Sequence, residues 1–389
     1  MASISLNLKM TSFGILMLSI IACGTPSESE IVEYYEPSSV IPIDQLLLPS
    51  GFSISVFADS VIGARSMAMG DDGTLFVGTR RNKTLYAIQD LDGDFRADHI
   101  TVLDSTLDVP NGVAFRKGSL YVALVDKLLR YDNIESRLDN PPAPVVVYDD
   151  YPDALHHGWK YIAFGPDDKL YVPVGAPCNI CDSTVVDKRF ASITRMDPDG
   201  SNREIVAHGV RNTVGFTWHP VTGELWFTDN GRDMLGDDIP PCELNRVTAV
   251  GQHFGYPFCH GGTISDPEFG SLRSCDEFVA PVKALGAHVA PLGVKFPTGN
   301  MFPETFKNSP IIAEHGSWNR SKKSGYRLSR VEMQGDSVVR YASFIEGWLN
   351  EETQEAFGRP VDLLFLEDGS LLISDDIANA IYRVTYSGK

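Results

Sequence analysis

Apolar positions along this chain fall in short paired runs broken by Asp, Gly and Asn, and no long stretch carries them at helical spacing. One unit recurs: an apolar strand, a turn rich in Asp and Gly, then a second apolar strand. It spans Ser66 to Thr79 (SMAMGDDGTLFVGT), Gly112 to Leu124, Tyr161 to Gly175, Gly215 to Asn230 and Val361 to Asp376, with a degenerate copy from Val294 to Gly316. Each reads as a β-hairpin whose turn residues supply the unusual backbone angles. Copies separated by about 45 to 90 residues predict an all-β, six-bladed β-propeller, whose radial blades leave only short sheet edges. A β-sandwich does not explain six such similar hairpins. The larger gaps after the third and fourth copies are then expected to be loops, the largest running from Asp229 to Ala290, and long loops in compact domains usually carry function.

The chain's beginning breaks the pattern. A lone Lys9 precedes an apolar run from Phe13 to Ala22 that ends at Cys23 and gives way to polar residues. That run is too short to span a bilayer and reads as an export signal. Ile20-Ile21-Ala22-Cys23 resembles a bacterial lipobox, which makes residues 1–22 a cleaved leader, Cys23 the lipidated residue and residues 23–44 a tether; an ordinary cleavable signal with an incidental cysteine is the alternative. The first reading puts residues 45–389, the propeller, in the bacterial cell envelope on a lipid anchor, facing the periplasm.

Composition sharpens this in two places. The 389 residues include 34 Gly and 24 Pro, which agrees with many turns, and the net charge of −18 excludes a nucleic-acid binder, which needs a basic stripe. Beyond Cys23 there are five cysteines, Cys178, Cys181, Cys242, Cys259 and Cys275, so one stays unpaired. Export favours disulfides. Cys178 and Cys181 form either a loop staple or a redox pair, and no haem attachment motif follows, since Asp182 stands where a His would be.

Polar groups that no core tolerates flank the hairpins. His156 and His157 precede the third, Arg211 and Asn212 the fourth, and Arg359 the sixth, while His315 to Arg320 follow the fifth. In a propeller such loops converge on one face. A histidine there can serve as a general base, with His157 and His156 as rivals, and converging guanidinium groups suit a ligand carrying several carboxylates. The stretch from His208 to Gly262 concentrates these signals, because Asp229, Asn230, Gly231, Arg232, Asp233, Asp237 and Asp238 close it off after an apolar strand. A separate acidic run, Asp90 to Asp98, spaces carboxylates as a calcium loop does, or forms a solvated turn.

The motifs HHGWKYIAFGPDDKLYVPVG (156–175), GVRNTVGF (209–216), TDNGRDMLGDD (228–238) followed by ELN (243–245), HFGYP (253–257) and GRPVDL (358–363) resemble, in this order, the glucose/sorbosone dehydrogenase family of soluble quinoproteins. The flavour is that of its sorbosone and pyranose dehydrogenase branch, and the resemblance runs from about Leu48 to Val384. It implies pyrroloquinoline quinone and calcium as cofactors and an aldose, pyranose or sugar aldehyde as substrate. It makes His157 the base that takes the hydroxyl proton, Arg211, Asn212 and Asn230 cofactor contacts, and the carbonyls of Gly231 and Arg232 the calcium ligands. Arg359, and Arg320 or Lys323, become cations for the quinone carboxylates. An acid supporting His157 is expected at Asp237 or Asp238, and Trp159, Trp318 and Tyr256 are candidate stacking surfaces. Electrons would leave through a separate acceptor, a cytochrome or a membrane quinone. A calcium-dependent propeller lactonase and a non-catalytic ligand-binding propeller are the competing classes.

Overall fold

The computed structural model describes residues 41–388; the leader, Cys23 and residues 23–40 of the tether lie outside the described part. Within it, six antiparallel sheets stand side by side as blades, and no α-helix occurs among the described residues. Blade 1 is Ala64–Met69, Leu75–Thr79, Leu85–Gln89 and His99–Asp104, and blade 2 is Gly112–Arg116, Ser119–Ala123, Leu128–Tyr131 and Val145–Tyr148. Blade 3 is Ala163–Phe164, Leu170–Val174, Ser192–Met196 and Glu204–His208, with Gln252–His253 added in parallel at its edge. Blade 4 is Phe216–Trp218, Leu225–Asp229, Pro241–Val247 and Lys283–Ala287; blade 5 is Pro291–Lys295, Ile311–Glu314, Arg327–Gln334 and Ser337–Ile345. Blade 6 takes Pro360–Phe365, Leu371–Asp375 and Ala380–Tyr386 from the end of the chain and its outermost strand, Phe52–Ala58, from the beginning. The first strands of neighbouring blades touch around the axis.

Each predicted hairpin is thus the inner half of one blade. The second strands read as continuous apolar runs because both their faces are covered by adjacent blades: Leu75–Thr79, Leu170–Val174, Leu225–Asp229 and Leu371–Asp375 are buried throughout. Between blades 1 and 2, Phe76 and Leu85 pack on Leu120 and Val122. Each fully buried large side chain there stabilises the ring by roughly 1.5–3 kcal/mol. The fourth strands sit at the rim and alternate or expose their residues, as His99–Asp104 does. That explains why a search for apolar runs finds half of each blade.

The gaps between hairpins are therefore not loops alone, and the excursion from Asp229 to Ala290 contains the outer half of blade 4. What is left over is stapled. Cys259–Cys275 closes the excursion beyond Pro241–Val247, Cys178–Cys181 closes a small ring after Leu170–Val174, and Cys242 stays buried and unpaired. Antiparallel blades send the loops entering each first strand, and those joining second to third strands, to one face. The Asp90 to Asp98 turn joins third to fourth strands and so lies on the other face, where oxygens of Asp90, Asp92 and Asp98 come within 4.8 Å of one another while accepting backbone N–H groups of their own turn.

Candidate active site

The first residue beyond the second strand of each blade lands at the mouth of the ring: Arg80, Leu124, Gly175, Asn230, His315 and Asp376. Around them the loops entering the first strands bring His156, His157, Arg211, Asn212 and Arg359. His157 sits in left-handed backbone, φ 53°, which costs a non-glycine residue about 1 kcal/mol or more and marks a turn fixed by its surroundings. Gly175 makes that turn possible, since a Cβ there would lie 2.6 Å from the His157 Cβ and 2.7 Å from its carbonyl.

The imidazole of His157 is 8% exposed, and its Nδ1 lies 2.9 Å from the carbonyl oxygen of Ala176. A carbonyl can only accept, so Nδ1 carries the proton and Nε2 keeps its lone pair. Burial, then Arg211 and His156, pull its pKa well below the usual 6.5, so the ring is neutral at physiological pH. His156 lies beside it, its plane tilted by 59° and the ring centroids 4.0 Å apart.

Arg211 is nearly all spent within the chain. Its Nε donates to the Asn179 carbonyl (2.9 Å), Nη1 to the Asn230 carbonyl (3.1 Å), and Nη2 to Asn179 Oδ1 (2.8 Å) and Asp233 Oδ2 (3.3 Å). Below it Asp229 accepts the backbone N–H groups of Arg211 and Asn212, and burial pushes its carboxyl up to about 6. Asn230 Nδ2 reaches the carbonyls of Asn212 (2.9 Å) and Pro291 (3.2 Å). Gly231 fits where a Cβ would meet the Pro241 carbonyl at 2.8 Å. The Arg232 side chain turns away to Asp266, which His260 also engages at 2.9 Å. Glu243 lines the same narrow cavity as Arg211 and Gly231, and burial, then Asp229, pushes it up to about 7.

The opposite side of the mouth is built otherwise. Arg80 lies 3.4 Å above the Trp159 ring and makes no hydrogen bond or ion pair among the described residues; burial, then Arg65 and Arg81, pushes it down to about 10. Arg359 gives Nε to the His315 carbonyl and Nη2 to the Gly316 carbonyl, which leaves Nη1 free. Beneath them Asp376 joins Arg65 (2.9 Å) and His315 Nε2 (2.8 Å), and its carboxyl is held far below the carboxylate range although buried. Burial pulls His315 down to about 4.

His157, Arg211, Arg359, Asn212, Asn230, Gly231 and Arg232 thus gather at the mouth as the sequence suggests, while two expectations are corrected. Among the described residues no carboxylate bonds to His157: the Ala176 carbonyl supports it, and Asp238 is 89% exposed by its side chain and pairs with Arg320 at 3.1 Å. Arg320, from the loop after the second strand of blade 5, also binds the Asp237 carbonyl and so ties the insert to that loop, because the insert carries its carboxylates outward to the nearest cation. Lys323 is tied to the Gln354 carbonyl, Tyr256 is buried with its hydroxyl on the Cys178–Cys181 ring, and Trp318 alone of the three aromatics is open, at 71%. The residues the sequence reading missed are Arg80 and Asn179, and Asp233, singled out only as part of the polar cluster, proves to be the partner of both Asn179 and Arg211. Arg80 had a signal, since it holds in the first hairpin the place that Asn230 holds in the fourth.

The donor set fits a hard divalent cation beside a polycarboxylate. Among the described residues the carbonyls of Gly231 and Arg232 accept no hydrogen bond, and the Asn212 side chain, 7% exposed, has no partner. Orphaned oxygens of this kind suit calcium, and an unpaired, desolvated guanidinium beside them suits an anion.

The family model described as TrAA12-like matches residues 46–387. An uncharacterized protein of Borreliella burgdorferi is 34% identical over 360 residues, covering 88% of this chain and 91% of its own. A pyrroloquinoline quinone-dependent sugar dehydrogenase of Hypocrea jecorina is 22% identical over 375 residues, covering 85% and 82%. Among solved structures, the holo pyrroloquinoline quinone domain of pyranose dehydrogenase from Coprinopsis cinerea superposes with a TM-score of 0.75 at 18% identity, covering 87% of this chain and 97% of that one.

Proposed function

Because the chain belongs to the TrAA12-like family of quinone-dependent sugar dehydrogenase propellers, we propose that it oxidises an aldose, pyranose or related sugar aldehyde at this mouth, with His157 as general base. The observation that carries the proposal is the His157 tautomer. With Nδ1–H committed to Ala176, Nε2 keeps an unprotonated lone pair beside Arg211 and Arg80, and among the described residues no carboxylate bonds to the ring.

Pyrroloquinoline quinone, when bound, would supply the two-electron acceptor, and calcium would polarise it. Gly231 and Arg232 carbonyls would hold the ion. Arg80, the free donors of Arg359 and the remaining N–H of Arg211 would neutralise carboxylates, and Asn212 would orient the ring system. His157 Nε2 then takes the substrate hydroxyl proton, and the positive charge it gains is tolerated only for the lifetime of the step, because Arg211 and His156 oppose it. Electrons leave to a separate cytochrome or quinone. Export and a lipid anchor at Cys23 remain part of the proposal on the strength of the leader.

A lactonase would need side-chain carboxylates free to hold a metal at the axis. Asp229 and Asp362 instead spend their oxygens on backbone N–H groups, which does not favour that reading.

Reconstitution tests the proposal. Purified apoprotein given calcium and the quinone should acquire a bound-quinone absorption band and reduce a dye with an aldose or pyranose; neither appearing over a panel of sugars would sink it. His157→Ala should keep the band and lose about 10²- to 10⁴-fold in kcat.

A further inference from the structure

The ring Cys178–Asn179–Ile180–Cys181 does more than shorten a loop. Asn179 supplies two of the four acceptors on the Arg211 guanidinium, through its carbonyl (2.9 Å) and its Oδ1 (2.8 Å). The same side chain accepts the Asp233 N–H at 2.8 Å and donates Nδ2 to the Asp233 carbonyl at 3.1 Å. One residue of blade 3 therefore grips both the arginine entering blade 4 and the segment that carries Gly231 and Arg232. The disulfide bounds it on both sides. Tyr256 braces the ring from the hairpin excursion, its hydroxyl taking the Cys181 N–H at 3.1 Å and lying 3.4 Å from Cys178 Sγ.

We propose that Asn179, held by the Cys178–Cys181 disulfide, is a positioning residue that sets the spacing between the Arg211 guanidinium and the Gly231 and Arg232 carbonyls. Its meaning for cofactor binding rests on the proposed function; the clamp itself does not. Fixing the backbone of a residue costs about 1–2 kcal/mol, so a residue already confined by a disulfide-closed loop of four residues meets Arg211 and Asp233 with little left to lose. Freed from that loop, the amide must find both partners by chance, and the calcium-side segment drifts relative to the arginine. Outer partners of this kind commonly govern affinity without touching the ligand.

Hydrogen–deuterium exchange on the apoprotein reads the clamp directly. Asn179→Ala, and separately the pair Cys178→Ser with Cys181→Ser, should speed exchange in segments 209–213 and 228–234, while Cys259→Ser with Cys275→Ser should leave the 209–213 segment protected. Asn179→Asp keeps the Oδ1 acceptor for Arg211 but sets an oxygen against the Asp233 carbonyl where Nδ2 donated, so it should restore protection in segment 209–213 and not in 228–234. In parallel, tryptophan fluorescence titration with pyrroloquinoline quinone and calcium should show affinity falling roughly 10- to 100-fold in the first two variants, and Asn179→Asp, which mends only the Arg211 half of the clamp, should not recover it in full. Unchanged exchange in Asn179→Ala would overturn the proposal whatever the titration shows. If the wild-type protein binds no quinone, the functional reading fails, and the exchange data still decide the clamp.

Discussion

Arg211 of blade 4 and Arg80 of blade 1 both face the mouth and both depress the basicity of His157, yet the chain treats them in contrary ways. Arg211 places four of its N–H groups on Asn179, Asn230 and Asp233, whereas Arg80 lies on Trp159 with none placed at all. The buried carboxylates repeat the contrast. Glu243, under Arg211, has only N–H partners from Gly261 and Asn245 and is driven toward neutrality, while Asp376, on the other side, is kept ionised by Arg65 and His315. One side of the mouth is thus a finished scaffold whose charges are internally balanced. The other holds cationic capacity in reserve, which only an arriving anion can use.

Four substitutions would break or sharpen that contrast. Arg211→Met removes a buried charge and strands the acceptors of Asn179 and Asp233, so thermal and denaturant unfolding should show a loss of about 3–5 kcal/mol. A neutral effect on stability would mean the scaffold reading is wrong. Glu243→Gln tests the carboxylate half. With the folded group near 7 and the ordinary value at 4.5, the native state keeps a proton that the unfolded state has lost, so wild-type stability falls as pH rises through that window. Its share of that fall, on the order of 3 kcal/mol, should be missing in Glu243→Gln when denaturation midpoints are compared between pH 4.5 and 7, which leaves the smaller share of Asp229 in place. Arg80→Met should leave stability unchanged or raise it, since a desolvated, unpaired cation is removed, but weaken quinone binding by about 1–2 kcal/mol in a fluorescence titration. A Tm loss as large as that of Arg211→Met would erase the distinction between the two sides. Arg320→Ala, which breaks only a bridge to an exposed aspartate, should cost less than about 1 kcal/mol and leave quinone affinity alone.

The ring was legible because second strands are buried on both faces and announce themselves as unbroken apolar runs, as in LFVGT and LYVPV. Outer strands such as His99–Asp104 carry no such mark, so the excursion after Asp229 reads as one long loop although it supplies half a blade. Within the site, His157 and Arg211 stood out because their chemistry resides in their side chains. The support of His157 could not be read, since the group that fixes its tautomer is the backbone oxygen of Ala176, and a carbonyl leaves no trace in residue identity. Asn179 was hidden for a related reason: its partner Asp233 lies 54 residues away, and only the juxtaposition of two blades brings them together.

The seam of blade 6 has a mechanical side. Phe52 pairs with Tyr386 and Ile54 with Val384 in antiparallel register, so the two ends of the chain leave the ring from the same end of one strand pair. Tension between those ends would first load the bridge between Leu47 and Glu346 and the bond from Ser387 to Gly51, and then the strand pairs one at a time from Phe52 and Tyr386, so the seam would peel open like a zipper and not resist in shear. A pull on the first end alone would be borne by the Leu47 bridge and then by the same strand, while Arg211, Asn212, Asn230 and His157, which blades 3 and 4 bring to the mouth, stay outside the path of the force.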